Sequence, residues 1–520
     1  MLINNKHITL LDCTLRDGGY YTNWDFPSAL VEKYLSAVNT LPIDYVELGY
    51  RSLDTSSYHG EYNYLPLYVL QRSRQLCPNK KIAIMINLKE VDENSVVPLL
   101  GNLSPYVDLV RFATKPEDTG KAVKIARIAK KHGLETAVNI MYMSTWVENP
   151  EFAKSLKGAE RYVDNIMMVD SYGSVYPNQI ADCIYKIKQQ YNGKIGFHGH
   201  NNIELAFANS LAAIAAGIDS IDATMTGMGR GAGNLRTELL LTYCAKYDDS
   251  ISLNQLMDTI EDFELLRQKY GWGTNLPYMI SGCNSLPQKD IMEWITKKRY
   301  SASSIVRRLQ SHIKPSNHEN IYHNLPLTNK KEYTTMLIGG GDSVCTHIHA
   351  ILELIACQTG KVQLIFSSSK HLHLFDSVDN TVQRYIYMVG IEGKRLEKQL
   401  SSLRCSDTLV VSRQDPDMDI YIPPEATTQT YSLPLQNDDC SLSDSPLYAS
   451  VKIAEYLGAE SMLLLGYDGY DADIQSDKFN MMEETQSVID HFANKNQMCS
   501  LLPTKYHNLK EKSIYSLLAL

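Results

Sequence analysis

Through the first half of the chain, short β-branched and apolar runs alternate with longer stretches whose apolar residues recur every three or four positions. The short runs predict strands, and the longer spacing predicts amphipathic helices. Eight strand candidates follow: Ile8–Thr14, Asp44–Gly49, Lys81–Asn87, Asp108–Phe112, Glu135–Ile140, Asn165–Asp170, Gly196–His198 and Ser220–Thr224. Helical stretches lie between most of them, one over about Pro27–Thr40 and the clearest over Glu117–His132 and Pro177–Tyr191. Eight β/α alternations in about 250 residues predict a parallel (β/α)8 TIM barrel, with a doubly wound sheet as the alternative.

In such a barrel, catalytic side chains lie at the C-terminal ends of strands. Polar residues occupy many of these positions. Arg16 and Asp17 follow the first strand, and Glu47 lies within the second. Arg111 ends the fourth, Asn139 the fifth, Asp170 and Ser171 the sixth, and His198 and His200 the seventh. Residues i and i+2 of a strand face the same side, so His198 and His200 can offer two imidazoles to one point. A divalent metal takes such a pair together with a carboxylate, for which Asp17 is the candidate. After the eighth strand, glycines at 227, 229, 231 and 233 allow close backbone approach. This loop lacks the Lys-Ser/Thr of a phosphate-binding P-loop.

From Ile251 to about His312 the pattern is mainly helical. Trp272–Asn284 reads as a loop-rich segment whose Tyr278 packs in the core, and Lys314–Lys331 as a polar linker. A second alternation begins at Thr334–Ile338 and continues with Val362–Phe366, Thr408–Val411 and Ser461–Leu465. The expected domains are 1–250, a helical extension and linker over 251–328, and a Rossmann-like α/β domain over 329–520. Its first strand runs into Gly339-Gly340-Gly341-Asp342-Ser343 and then an apolar helix, an arrangement that suits phosphate. Gly339, Gly341, Asp342 and Asp468 are therefore candidates for binding a nucleotide or nucleotide-sugar. The third glycine of the dinucleotide fingerprint is missing, and Ser367–Lys370 supplies no acid for a ribose, so NAD is not expected.

The 520 residues exceed one core and fit two or three domains. A net charge of −9 argues against a nucleic-acid or membrane surface. Ten cysteines with no C-x-x-C pair fit reduced thiols, and the first residues show no signal-peptide pattern, so a cytoplasmic location is expected. No run approaches a membrane span. The 33 tyrosines against 10 phenylalanines imply no function by themselves. The sequence is compatible with a homo-oligomer and fixes no oligomeric state.

Asp12-Cys13-Thr14-Leu15-Arg16-Asp17-Gly18, His198-Gly199-His200-Asn201-Asn202 and Gly227-Met228-Gly229-Arg230-Gly231-Ala232-Gly233-Asn234 occur in the order of the DRE-TIM metallolyases. Over about residues 1–245 the chain resembles that superfamily, and within it the 4-hydroxy-2-oxovalerate aldolases. The resemblance implies a barrel holding Mn²⁺ or Mg²⁺ on Asp17, His198 and His200, with Asn234 as a ligand or neighbour. It gives Arg16 the task of neutralising enolate charge. Glu47 falls on an acidic second-strand position, and Asn139, Ser171 and Gly229 fall near the bound keto acid. The partners would be a 2-oxo acid, pyruvate, and an aldehyde. The pyruvate aldolases carry a proton-transferring His shortly after Arg-Asp-Gly, whereas this chain has Tyr20 and Tyr21 there. Tyr20 takes the catalytic place, and an unshifted tyrosine, near about 10, is a poor base at neutral pH.

A Claisen-type acyl-CoA condensing enzyme is the rival within the superfamily. The second half resembles a Rossmann-like family spanning bacterial sialyltransferase-like and pterin-pyrophosphokinase-like proteins. Two domains in one chain give a bifunctional enzyme of surface-polysaccharide sugar synthesis as an alternative. A non-catalytic scaffold with a degenerate barrel is the remaining class.

Overall fold

The computed structural model describes residues 2–3, 6–146, 152, 156–248, 251–252, 254–297, 299–313, 322–326, 333–358, 361–390, 392–400, 408–413, 421–424, 426, 430–433, 442, 445–470, 476–492 and 497–519. The chain divides into two compact units, Met1–Met292 and Glu293–Leu520. Most of the polar segment Lys314–Lys331 lies outside the described residues.

The first unit is a closed eight-stranded parallel barrel. Its strands are β1 (Thr9–Asp12), β2 (Tyr45–Tyr50), β3 (Lys81–Asn87), β4 (Leu109–Thr114), β5 (Glu135–Ile140), β6 (Asn165–Asp170), β7 (Lys194–Gly199) and β8 (Ser220–Ala223). The barrel closes where β8 runs in register with β1, Ser220 opposite Thr9 and Ala223 opposite Asp12. Strand alternation decides what fills it. Val46, Leu48, Ile84, Val110, Phe112, Val138, Ile166, Phe197 and Ile221 face outward into the layer covered by helices. Leu11, Cys13, Ala83, Leu109 and Ala137 form a small apolar layer of their own. On the inward parity of the same strands stand Glu47, Arg111, Asn139, His198 and Asp222, all buried.

Two sequence expectations are corrected. Arg111 does not end β4, because the strand runs on to Thr114 and holds the guanidinium inside the barrel. Trp272–Asn284 is not mainly loop, because Asn275 caps a helix over Leu276–Cys283 by accepting from the Tyr278 N–H. The segment after β1 is also helical, over Thr14–Thr22, despite Gly18 and Gly19. Tertiary packing outweighs their poor helix propensity. A Cβ on Gly18 would lie 2.5 Å from the Met228 sulfur, and one on Gly19 2.0 Å from the Trp24 ring. The helix therefore needs both glycines to lie flat across the barrel mouth.

The second unit is an eight-stranded parallel sheet. Its strands are β9 (Thr334–Ile338), β10 (Val362–Phe366), β11 (Gln383–Tyr387), β12 (Thr408–Arg413), β13 (Thr430–Leu433), β14 (Ser461–Leu465), β15 (Gln497–Ser500) and β16 (Lys510–Glu511). The order is β13-β12-β11-β10-β9-β14-β15-β16, so the winding reverses beside β9. Apolar clusters cover both faces. Four of these strands, β11, β13, β15 and β16, had no counterpart in the sequence reading.

Candidate metal centre at the barrel mouth

The polar layer is a chain of charge pairs. Glu47, wholly buried, accepts from Arg16 Nε at 2.8 Å and from Arg111 Nη1 at 3.1 Å. Arg111 also pairs with Asp222 and donates Nε to Asn139 Oδ1 at 3.2 Å. Asp222 Oδ2 lies 2.9 Å from His198 Nδ1, and His198 Nε2 lies 3.5 Å from Asp17 Oδ2. Asp17 pairs with Arg16 and accepts from Asn234 Nδ2 at 2.7 Å. Each buried charge has an opposite partner, the condition under which buried ions persist. Burial would raise Asp17 and Asp222, but their cations outweigh it and hold both below the ordinary carboxylate range. For Asp17 the cation is Arg16, with the two neighbouring imidazoles and the Asn234 amide adding to it, and for Asp222 it is Arg111, with the His198 ring beside it.

The two imidazoles converge as strand alternation requires. Their ring centroids are 5.1 Å apart and their planes perpendicular. His200 Nδ1 and Asn234 Oδ1 are buried and carry no hydrogen bond. Burial, then the neighbouring His198, push His200 down to about 3, so its ring is neutral and its lone pair free. Asp17 Oδ2 and His198 Nε2 lie within metal-bridging reach, with Cys13 Sγ beside them, and His200 and Asn234 add a nitrogen and an oxygen donor at the edge of this group. This donor set suits a divalent cation, and the orphaned atoms are what such an ion would satisfy. The hold of Asp222 on His198 Nδ1 fixes which ring nitrogen faces that point. Cys13 Sγ is 3.7 Å from Asp17 Oδ2, but burial, followed by the Asp17 charge, pushes the thiol well up. A protonated thiol is a poor ligand.

The glycine loop after β8 completes the mouth. A Cβ on Gly229 would come within 2.6 Å of the Asn234 amide. Thr226, a β-branched residue, is held at φ 54°. Tyr20 projects from the Thr14–Thr22 helix, its hydroxyl 2.9 Å from that of Tyr50. Its ring packs edge-on against Trp24, whose indole donates to the Arg16 carbonyl at 2.9 Å. Ser171 sits on the opposite rim and accepts from the Tyr142 N–H at 2.9 Å. Tyr21 lies behind, donating to the Gly231 carbonyl at 3.3 Å, and Tyr278 is buried.

Arg16, Asp17, Tyr20, Glu47, His198, His200, Asn234 and Gly229 are therefore gathered at one mouth, with Asn139 one hydrogen bond below. Asp222 and Arg230 were missed by sequence reasoning. Asp222 looks like an ordinary strand residue until the barrel closes, and Arg230 is hidden among glycines. The signal for Asp222 was its inward parity two residues after Ser220.

In the second unit, Gly339, Gly341, Asp342 and Asp468 meet at the C-terminal ends of β9 and β14. Asp468 accepts from the Ser343 N–H at 2.9 Å and also from its hydroxyl. A Cβ on Gly341 would fall 2.5 Å from the Asp468 carboxyl. The turn is thus filled by a carboxylate. Asp342 pairs with Lys370 at 2.7 Å.

A family model described as HMGL-like matches residues 104–262. The 4-hydroxy-2-oxovalerate aldolase of Geobacillus genomosp. 3 is 30% identical over 259 residues, 49% of this chain and 76% of that protein. The oxaloacetate decarboxylase of Mycobacterium tuberculosis is 24% identical, over 59% of this chain and 92% of its own. A crystal structure of the N-terminal domain of a candidate aldolase from Bacteroides vulgatus is 46% identical. It covers 58% of this chain and 99% of its own length, with a TM-score of 0.55.

Proposed function

This chain belongs to the HMGL-like family of DRE-TIM metallolyases, carbon–carbon lyases, and on that premise we propose that its barrel is a metal-dependent aldolase of 4-hydroxy-2-oxo acids, with pyruvate as one product. The observation that supports it is the approach of Asp17 and His198 beside the Arg16 guanidinium, with His200 and Asn234 flanking them.

Breaking the bond beta to a ketone leaves an enolate. A divalent ion held by those four residues would supply Lewis-acid stabilisation of that charge. Arg16 spends Nε on Glu47 and Nη1 on Asp17, leaving Nη2 to donate to the keto acid. Glu47 acts through Arg16 and is a positioning residue. Tyr20, hydrogen-bonded to Tyr50, is placed to exchange a proton with the 4-hydroxyl oxygen. In the condensing direction it donates to the nascent alkoxide. In cleavage it orients a water that takes the 4-hydroxyl proton.

A second reading is decarboxylation of oxaloacetate, supported by the mycobacterial relative. It yields the same enolate and needs no base at a 4-hydroxyl, which suits a tyrosine in the place of a histidine. Pyruvate release from 4-hydroxy-2-oxovalerate and from oxaloacetate, each with Mn²⁺ and with EDTA, tests both. Metal-dependent release from the hydroxy acid, lost in His198→Ala, is the expected result. Release from oxaloacetate alone overturns the aldolase reading, and no release from either overturns both.

A further inference from the structure

Arg16, Arg111 and Arg230 stand beside the carboxylates of Asp17, Glu47 and Asp222, and they do not match one to one. Arg16 is shared between Asp17 and Glu47, and Arg111 between Glu47 and Asp222. All three acids are thereby engaged with two of the cations. Arg230 is left over. Among the described residues it forms no ion pair, and its guanidinium makes no hydrogen bond. Instead it stacks on Tyr20, 3.9 Å from the ring centroid. The ionisable groups that act on it most strongly are Tyr20, Tyr50, Asp17 and Tyr142, of which only Asp17 is a carboxylic acid. Its charge also reaches His200. Arg230 is therefore an uncommitted cation at the rim of the metal centre, half-buried and held flat by an aromatic face.

An unpaired guanidinium kept this close to a buried site is costly unless something answers it. Its planar donors suit a carboxylate or phosphate. The 2-oxo acid end of a substrate is accounted for by Arg16 and the four metal-site residues, so a second anion must come from the other end of the molecule.

We propose that Arg230, oriented by the Tyr20 ring, binds an anionic group, carboxylate or phosphate, at the end of the substrate remote from the 2-oxo acid. The natural aldehyde partner is then negatively charged rather than a simple alkyl aldehyde. This rests on the aldolase reading for the word aldehyde, but not for the anion site. The aromatic rim formed by Tyr20, Tyr50 and the stacked pair Tyr142 and Tyr172 would then flank the chain between the two charged ends.

The test is binding, independent of turnover. The full chain with Mn²⁺ is titrated calorimetrically with 2-oxovalerate, 2-oxoglutarate and 2-oxo-4-phosphonobutanoate. The first two have equal length and differ in the second charge. The protein is expected to bind the 2-oxoglutarate dianion at least about tenfold tighter than 2-oxovalerate, the scale of one charge-assisted hydrogen-bonded pair. In Arg230→Ala that ratio should collapse towards unity, and Arg230→Lys should restore part of it. Comparing the carboxylate with the phosphonate identifies which anion is preferred. Equal affinity for mono- and dianion in the unaltered protein overturns the proposal, as does a dianion preference that survives Arg230→Ala. Failure of pyruvate release with the dianion preference intact would sink the aldolase reading alone.

Discussion

His198 occupies its position because two acids hold it from opposite sides, Asp222 at Nδ1 and Asp17 near Nε2. Replacing Asp222 by Asn keeps the shape but removes the charge that fixes the ring and pairs with Arg111. Mn²⁺ affinity is expected to fall about 10–100-fold, the usual effect of losing such a supporting group, as read by electron paramagnetic resonance titration. Asp170 offers a test of a different kind. Burial raises its carboxyl from 3.8 to about 6, although Ser174 and Val175 donate N–H groups to it. A raised carboxyl favours the folded state while protonated. Its contribution is full below about pH 4 and is lost as the pH rises through about 6. The destabilisation caused by Asp170→Asn, measured by urea unfolding, should therefore be larger at pH 4 than at pH 8. The difference should be up to about 2–3 kcal/mol. At this scale the shared side of His198 and His200 was legible, because i and i+2 on a strand must face the same way. The partners that support them were not, because Asp222 and Arg111 acquire meaning only across the barrel.

At the scale of elements, the site is made by two short pieces laid over the strand ends. The Thr14–Thr22 helix brings Arg16, Asp17 and Tyr20, and the glycine loop brings Asn234 and Arg230. The loop is tied to β7 by an antiparallel bridge between His200 and Asn234, so its glycines set the reach of the Asn234 amide. Gly229→Ala puts a methyl group into that amide. It should lower Mn²⁺ affinity about tenfold while far-ultraviolet circular dichroism stays unchanged, since the clash falls on a side chain and not on a strand. The eight barrel strands were readable as apolar runs. The helix over 14–22 was not, because a segment with two adjacent glycines has no local reason to be helical. Its reason is the close contact of those glycines with Met228 and Trp24.

At the scale of the whole molecule, the second unit raises a charge question. Its glycine turn was read as suited to phosphate, yet Asp468 already holds the Ser343 N–H, with Asp342 beside it. A nucleotide placed there meets two carboxylates and needs a cation between them. Fluorescent nucleotide binding is expected to be absent in EDTA, and any binding with Mg²⁺ should be lost in Asp468→Ala. Binding in EDTA would show that the turn accepts phosphate directly. Strands β11, β13, β15 and β16 escaped the sequence reading because their apolar runs are short or broken by polar residues, and β16 is an edge strand of two exposed charged residues.

By itself the sequence determined the eightfold alternation, the direction in which His198 and His200 point, and the three ordered motifs that place the chain among the metallolyases. All of these follow from local periodicity or from a short run of residues, and neither depends on what lies across the molecule. Only the tertiary structure decided how Glu47 is shared between Arg16 and Arg111, that Asp222 supports His198, that Asp468 fills its own glycine turn, and that Arg230 forms no ion pair among the described residues. These are matters of charge balance among residues up to two hundred positions apart. Barrel closure brings such residues within hydrogen-bonding distance in a medium where an unmatched charge is expensive.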